Sequence, residues 1–469
     1  ECSGISCECN SGWSGPDCSQ VTLLNTCSGQ GVPKNINGTI NCDCNDNFAL
    51  SDCSATVGTL PPITQTITPA QQYSSWDDYG NDNPIFNDST IAVIHLTMPP
   101  ETLQFMLDPQ NRETDTYLPV SMWFYNGETL EIMEKVGFRL KGGASRGYVK
   151  KTWKLNFDQW EDRKWFQQKK IELKSLEQDP SGIKEKLCLS LLYSLNAPAQ
   201  RSSYGQLFIN EQAMGAFLIE ETVDDQFLKS RFGNEDGAFF KCKGPLAYLG
   251  PDPNSYNISD YQPGSDLANT VIGFSLIRDL TFVINSTLTS DLEFAAALPT
   301  MFDVDLYART LAFEVLTGNW DGLWNSNNYY LYWNPEVSKF QYFRHDMDQT
   351  FGSMEPFFHM EDAPIYTWGD DGSGFRLINR FLATQPFRQM FTDYCYKLID
   401  VYFNLQKEGN FLGRMEALNQ QLNELMLRDQ WRATDFGWSF EEFQNIQTEA
   451  VVRKTSGFWP SVGESEVRY

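Results

Sequence analysis

Two apolar runs with carboxylates at their ends constrain the fold of this chain more than any other feature. The stretch from Asn319 to Gly352 reads NWDGLWNSNNYYLYWNPEVSKFQYFRHDMDQTFG, and its runs YYLYW and FQYF are typical of buried strands. A buried carboxylate is costly unless it is paired, hydrogen-bonded or bound to a metal. Because a hairpin brings its two ends together, we expect one cluster of acidic and amide side chains, formed by Asp321, Asn325, Asn327, Asn328, Asp346 and Asp348.

Such a cluster has the chemistry of a phosphoryl-transfer site. Mg²⁺ prefers carboxylate and amide oxygens together with phosphate oxygens, and an aspartate can orient or deprotonate a hydroxyl. An aspartate, a nearby asparagine, a hairpin and a second aspartate also make up the catalytic segment of protein kinases. The alternative is structural, with Asp321 capping the end of a helix and Asp346 and Asp348 ending a strand in a turn.

Composition excludes several classes of protein. The chain has 469 residues, 41% of them hydrophobic, so a sizeable core is expected. Its net charge of −25 disfavours nucleic acid and anionic membranes as partners. No apolar run is long enough for a transmembrane segment. Strand patterns dominate the first half and helical patterns the second, which predicts an α+β fold with two lobes.

Eight of the eleven cysteines lie before residue 54 and form an internal repeat. Each half begins with CSG and ends with C-x-C-x8-C. Zinc ligation usually uses C-x2-C pairs, so disulfides are the favoured interpretation over zinc. The two sets are Cys2, Cys7, Cys9 and Cys18, and then Cys27, Cys42, Cys44 and Cys53.

Both cysteine sets resemble the C-terminal portion of EGF-like modules, each without the first and third cysteines. The resemblance implies the disulfides Cys2–Cys7, Cys9–Cys18, Cys27–Cys42 and Cys44–Cys53. Disulfides of this kind belong to oxidising compartments.

Glycosylation motifs support the same location. Four N-x-S/T sequons occur, at Asn37, Asn87, Asn257 and Asn285, and they predict N-linked glycans. The chain begins at Glu1 rather than Met, which we interpret as a processed N-terminus. Together these features predict an extracellular glycoprotein that passes through the secretory pathway.

Changes in composition along the chain suggest five parts. We expect EGF-like modules first, then a linker in which threonine and proline are frequent, a large globular domain and a helical C-terminal extension. The corresponding boundaries are 1–22, 23–54, 55–87, 88–405 and 406–469.

The globular part resembles the spore-coat CotH kinase-like proteins, a family of secreted or surface atypical kinases. The matching motifs are RLKGGASRGYVKKTWKLNF, IELKSLEQDPSGIKEKL, LFINEQAMGAFLIEETVDDQFLKSRFG, GNWDGLWNSNNYYLYW and FRHDMDQTFG. They occur in order and cover about residues 88–405. The resemblance implies a two-lobed atypical protein-kinase-like domain that uses ATP with Mg²⁺ or Mn²⁺.

The resemblance also implies roles for particular residues. Asp321 is the catalytic or hydroxyl-orienting aspartate. Asp346 is the main metal ligand, with Asp348 as a second ligand or anchor. Asn328, and with it Asn327, ligates the metal or holds Asp321. For ATP, the implied set is Lys151 or Lys154, an ion-pair partner at Glu221 or Glu185, and Arg146 with the backbone of the loop 142–147 near the phosphates.

Two functions follow from the sequence. The first is a secreted or cell-surface kinase that phosphorylates protein hydroxyls at the surface, in an extracellular assembly or on itself. The second is a structural subunit of an extracellular filament, surface hair, coat or matrix, in which the kinase-like domain serves as a packing module. The EGF-like repeats, the linker and the sequons favour assembly, whereas the ordered set of aspartates favours chemistry.

Overall fold

The computed structural model describes most of the chain from residue 83 onward. The described ranges are 83–256, 259–286, 291–351, 363–368, 376–404 and 411–445, together with the backbone of short strands before residue 57. These short strands form two-stranded antiparallel pairs, among them Gly31–Ile36 with Thr39–Cys44. The predicted disulfides and the sequons at Asn37 and Asn257 lie outside the residues whose side chains are described.

Seven strands close into a barrel. The strands are β1 (Ala92–Thr97), β2 (Leu118–Tyr125), β3 (Leu130–Leu140), β4 (Trp153–Asn156), β5 (Lys170–Lys174), β6 (Ser202–Ile209) and β7 (Gln212–Glu221). Their order around the barrel is β2-β3-β4-β5-β7-β6-β1, and neighbours are antiparallel except β6 and β1, which are parallel. The turn at Asn126 and Gly127 joins β2 to β3, as the Asn-Gly pair predicts.

Alternation along the strands fills the barrel. In β5, Ile171 and Leu173 are buried while Lys170, Glu172 and Lys174 are half-buried, which is the period of two that a strand imposes. The aromatic rings of Phe138 and Trp153 stack inside the same apolar cluster, with centroids 4.5 Å apart. The barrel therefore has an apolar interior and a partly polar outer face.

Helices and a second sheet follow. The strands of this sheet are β8 (Ala238–Cys242), β9 (Tyr261–Pro263), β10 (Tyr329–Asn334) and β11 (Lys339–Arg344). Their order is β9-β8-β10-β11, and β10 and β11 are the predicted aromatic hairpin. The helices are α1 (Pro100–Leu107), α2 (Lys184–Ser194), α3 (Asp225–Phe232), α4 (Val271–Asn285), α5 (Asp291–Ala297), α6 (Val304–Thr317), α7 (Arg376–Ala383), α8 (Gln385–Leu398), α9 (Phe411–Arg428) and α10 (Arg432–Asp435).

This arrangement confirms the predicted α+β class, with strands first and helices later. Helix α6 begins after Asp303, whose side chain accepts the Leu306 N–H, and ends at Gly318 in the left-handed conformation. Within the described ranges, none of the helices has the length and apolar character needed to cross a membrane.

The structure moves both predicted boundaries of the globular domain. Ile85 and Phe86, predicted to lie in the linker, are buried against the barrel core. Residues 411–445, predicted as a separate extension, contribute Leu418, Leu422 and other apolar side chains to the large helical core. Periodicity identifies an amphipathic helix but not the surface that it covers, so the sequence left this helix outside the domain.

Two sequons fall among the described residues. Asn87 is partly buried, and its Oδ1 accepts the N–H of Ser89. The side-chain nitrogen of Asn285, to which a glycan would attach, donates hydrogen bonds to the carbonyls of Leu246 and Thr281. Attachment at Asn285 would therefore replace these contacts.

A buried charge cluster joins the two ends of the domain. Asp88 Oδ2 lies 2.7 Å from Lys186 Nζ on α2 and 3.1 Å from Arg414 NH2 on α9. Burial opposes ionisation of Asp88, but the charges of Lys186 and Arg414 lower its pKa below the ordinary value. One carboxylate thus holds two helices against the strand segment before β1.

We predict that Asp88→Asn destabilises the domain by about 3–5 kcal/mol, because it leaves two buried cations without their counter-charge. Since the folded-state pKa of Asp88 is lowered, its stabilisation is present above the unfolded pKa and is lost as the pH falls through the folded pKa. Urea unfolding near neutral pH and in acid measures both effects. Asp279→Asn, the same change at an exposed position on α4, is the control, and an equal loss in both variants would contradict the prediction.

Candidate active site

A cleft of about 770 Å³ separates the outer face of the barrel from the second sheet and the turn after α6. The barrel side contributes strands β3, β4, β5 and β7 and two loops, 142–146 and 175–179. The opposite side contributes β8, β10 and the segments that carry the three predicted aspartates. The cleft therefore lies where strand and loop ends from both halves of the domain meet.

A stripe of charged residues crosses the barrel face of the cleft. Strand register places Arg139, Lys154, Glu172 and Glu220 opposite one another on four neighbouring strands. Glu172 Oε1 lies 3.0 Å from Lys154 Nζ and 3.0 Å from Lys141 Nζ. Burial opposes ionisation of Glu172, but the two lysines lower its pKa. Burial in turn lowers the pKa of Lys154 to about 8.

Lys174, at the end of β5, lies at the centre of the acidic side chains. Its Nζ is 2.8 Å from Asp346 Oδ1, 3.1 Å from Glu185 Oε2 and 3.8 Å from Glu220 Oε2. Burial alone would lower the pKa of Lys174, but these carboxylates raise it well above the ordinary value. The Lys174 charge lowers the pKa of Asp346. Lys174 is therefore a cation and Asp346 an anion at neutral pH.

Three carboxylates next to Lys174 suit a hard cation. Oxygens of Glu185, Asp346 and Asp348 lie within 4.8 Å of one another. Burial, and then the neighbouring Asp346 charge, raise the pKa of Asp348 well above the ordinary value. Burial also raises the pKa of Glu185, whose Oε2 accepts the Met347 N–H at 2.7 Å. A divalent cation would supply the charge that this crowded set requires, so the residues fit Mg²⁺ or Mn²⁺.

Asp321 is held by the asparagines that follow it. Asn325 and Asn327 donate to Asp321 Oδ1 at 3.0 and 3.2 Å, and Asn328 donates to Oδ2 at 3.0 Å. Asn328 has a left-handed backbone with φ of 55°, which asparagine tolerates better than most residues. The carboxylate is thereby fixed in one orientation at the border of the cleft.

A fully buried ion pair fixes the turn that carries Asp321. Arg344 Nε, at the end of β11, lies 2.5 Å from Glu314 Oε1 on α6. Glu314 also accepts the side-chain amide of Asn319 at 2.9 Å and the Leu323 N–H at 2.7 Å. Arg344 donates to the Asn327 carbonyl at 2.7 Å. The same two side chains thus hold both ends of the turn to the strand that leads to Asp346.

Gly322 is required by this packing. A Cβ at position 322 would lie 2.0 Å from Glu314 Oε2 and 2.7 Å from Arg344 NH2. Any larger residue would push the turn away from the ion pair.

Most of the predicted site residues come together. Asp321, Asp346 and Asp348 all border the cleft. Their convergence follows from the hairpin, as the sequence predicts. Asn328 also borders the cleft, and its side-chain amide donates to Asp321 Oδ2 at 3.0 Å. Lys154 borders the cleft as well.

The predicted ion pairs are wrong. Lys151 or Lys154 was expected to pair with Glu221 or Glu185, but Lys154 pairs with Glu172 and Glu185 with Lys174. The side chains of Glu221 and Lys151 do not border the cleft. Strand alternation explains Glu221, which follows the cleft-facing Glu220 in β7. Lys151 lies in the loop before β4 begins.

The residues outside the cleft have other partners. Glu221 binds Arg201 at 2.7 Å and Arg231 at 2.6 Å. Lys151 Nζ donates to the Arg146 carbonyl at 2.8 Å. Arg146 borders the cleft, but its guanidinium donates to Asp115 and to backbone carbonyls, so it stabilises the loop 142–147.

Sequence reasoning missed Lys174. The signal that could have identified it is the pattern KIELK, in which two apolar residues alternate with charged ones on a short strand. When one face of a strand is buried and the other carries charges, the charged face is expected to border a polar cleft. The helix that follows carries Glu185 in its first turn, close to the strand end.

Comparisons with known proteins assign the chain to a family. The profile of the family described as "CotH kinase protein" matches residues 138–455, more than half of the chain. The chain therefore belongs to the CotH family. The match includes the barrel strands from β4 onward, Asp321, the carboxylates around Lys174 and the C-terminal helices.

The individual relatives share about a quarter of the aligned residues with this chain. The chain is 24% identical over 402 residues to Invasin CotH2 of Rhizopus delemar, covering 81% of this chain and 65% of the relative. It is 24% identical over 385 residues to Spore coat protein homolog 1 of the same fungus, covering 79% of this chain and 61% of the relative. It is 25% identical over 222 residues to Inner spore coat protein H of Bacillus subtilis, covering 45% and 58% respectively. The chain thus spans about two thirds or less of the length of these relatives.

We predict that Glu314→Gln lowers the free energy of unfolding by about 3–5 kcal/mol, because the fully buried Arg344 loses its counter-charge. Urea unfolding measures the loss. Asp305→Asn, on the same helix, removes the partner of the more exposed Arg309 and should cost at most about 1 kcal/mol. Equal effects of the two substitutions would show that the buried pair does not anchor the turn.

Proposed function

We propose that this chain is an atypical protein kinase that transfers a phosphoryl group from ATP to protein hydroxyls. The observation that carries the proposal is the contact of Lys174 with Asp346 and Glu185, in a cleft that Asp321 also borders. The proposed fold is two-lobed and kinase-like, with the barrel as one lobe and the helical part as the other. Membership of the CotH family supports both points.

Asp321 is the proposed hydroxyl-orienting residue. Three asparagines hold its two carboxylate oxygens, so it can accept a hydrogen bond from an incoming hydroxyl without reorganising. In the transfer, the hydroxyl oxygen forms a bond to the γ-phosphorus while the bond from that phosphorus to the ADP oxygen breaks. The hydroxyl proton passes to Asp321 or to the transferred phosphoryl group.

The cations of the barrel face are the proposed phosphate contacts. Lys174 stays charged because of its carboxylate neighbours, and Lys141 and Lys154 lie on the same face of the cleft. Phosphoryl transfer depends mainly on positioning and charge neutralisation, which fixed ammonium groups provide. Asp346 and Asp348, with Glu185 beside them, would hold Mg²⁺ or Mn²⁺. When bound, the metal neutralises charge on the phosphate oxygens.

We further propose that the protein acts outside the cell or at its surface. The relatives named as invasins and spore coat proteins support a coat or surface role, and the net charge of −25 disfavours nucleic acid. The proposed partners are other proteins of such an assembly, including further copies of this chain. The EGF-like modules, their disulfides and the N-linked glycans remain predictions from the sequence.

A second candidate is a structural subunit of an extracellular coat, filament, surface hair or matrix. The spore coat relatives favour it, since a coat component can retain the fold without turnover. The two candidates are compatible if a coat component phosphorylates its neighbours.

We predict that the purified protein labels itself with radioactive ATP in the presence of Mn²⁺ or Mg²⁺, and that Asp346→Asn abolishes the label. Asp346→Asn removes a charge that Lys174 and the metal both require. Asp321→Asn should also abolish the label but keep the thermal shift that ATP causes, because Asp321 acts on the acceptor hydroxyl. Autoradiography and a thermal-shift assay are the measurements.

The matched control for both variants is Asp279→Asn, on the exposed face of α4. It should keep the label and the shift. Absence of label and of any ATP-dependent shift in the parent protein would contradict the kinase proposal and leave the structural candidate.

A further inference from the structure

The C-terminal segment from Asp429 to Trp438 contacts two loops that border the candidate active site. It follows α9 and contains the short helix α10. Two of its carboxylates accept backbone N–H groups from the barrel side, and two of its donors bind carbonyls of the loop between β5 and α2. The proposed kinase function above assigns this segment no role.

The first contact holds the loop between β3 and β4. Asp435 Oδ1 accepts the Val149 N–H at 2.7 Å, and Asp435 Oδ2 accepts the Lys150 N–H at 3.0 Å. The ring of Phe436 packs edge-on against Tyr148, with centroids 5.2 Å apart. This is the loop whose residues 142–146 border the cleft.

Asp429, the first residue of the segment, binds in a buried position on the barrel. Asp429 Oδ2 accepts the Ala216 N–H at 2.9 Å and lies 2.7 Å from Lys150 Nζ, and both charged side chains are buried. Gly215 makes room for the carboxylate, since a Cβ there would lie 2.2 Å from Asp429 Oδ1. Gly215 also has a φ of 88°, which other residues rarely adopt. The barrel is thus shaped for this carboxylate.

The second contact holds the loop between β5 and α2. Trp438 Nε1 donates to the Glu177 carbonyl at 2.7 Å, and Arg432 NH2 donates to the Pro180 carbonyl at 2.9 Å. This loop connects the strand that ends at Lys174 to the helix that begins near Glu185. Its residues 175–179 border the cleft as well.

We propose that the segment 429–438 is a clamp that fixes both barrel loops in the geometry that accepts the phosphate groups of ATP. This inference rests on the proposed kinase function. Asp435 is its principal positioning residue, because it binds two consecutive backbone N–H groups and is only half-buried. Charge-assisted hydrogen bonds of this kind are stronger than neutral ones. Asp435 touches no reacting group and acts through the loop.

The test compares Asp435→Ala, Asp435→Asn and Trp438→Phe with the full-length parent. We expect Asp435→Ala to raise the KM for ATP about ten-fold or more, with kcat changed less, because a displaced loop weakens phosphate binding. Asp435→Asn keeps one acceptor oxygen and should fall between the parent and Asp435→Ala. Trp438→Phe keeps an aromatic ring but removes the N–H donor to Glu177, and it should raise the KM through the second loop. Glu424→Gln, which breaks an exposed pair on α9, is the matched control.

Amide hydrogen exchange without ATP separates the clamp from the kinase function. Faster exchange at Val149 and Lys150 in Asp435→Ala, with Glu424→Gln unchanged, is expected whether or not the parent transfers phosphate. An inactive parent with this exchange pattern would refute the proposed function but retain the clamp as a structural device. If an active Asp435→Ala variant keeps the parent's KM for ATP and the parent's amide exchange at Val149 and Lys150, the clamp proposal is wrong.

Discussion

The candidate site depends on the buried ion pair between Glu314 and Arg344. Burying two charges is expensive, and the pair is tolerated because the two charges face each other. Glu314 also accepts hydrogen bonds from Asn319 and Leu323, and Arg344 donates one to the Asn327 carbonyl. Those same hydrogen bonds tie the turn that carries Asp321 to the strand that precedes Asp346. One interaction therefore sets the relation between the proposed hydroxyl-orienting aspartate and the proposed metal ligand, and it explains why an arginine lies at the buried end of an apolar strand.

The barrel supplies the opposite wall by using the two faces of its strands differently. Residues of one parity fill an apolar interior, which gives the strands a rigid position. The alternate residues, on the outer face of the strands, form the charged stripe. They include Lys174, which lies among three carboxylates. Because the strands cannot rotate without exposing the interior residues, the lysines stay directed at the cleft. The precision of the polar site is thus a consequence of apolar packing on the other side of the same strands.

The C-terminal helices complete the domain rather than extend it. Helix α9 packs into the large core and places Arg414 beside Asp88, near the beginning of the domain. The segment after it reaches the loops on the barrel side of the cleft. Contacts between residues more than 200 positions apart therefore shape the site, although the acidic residues themselves lie close together in the chain.

The sequence alone determined the prevalence of strands in the first half and of helices in the second, the aromatic hairpin and the convergence of Asp321, Asp346 and Asp348, because period and turn chemistry are local. It also carried the family resemblance, which the CotH profile confirms.

Only the tertiary structure decided the ion pairs. The partner of Lys154 is Glu172 rather than Glu221, and Lys174 takes the central position, because strand register and barrel closure select which side chains share a face. The place of α9 was likewise decided by packing, since an amphipathic pattern does not specify the surface that covers it.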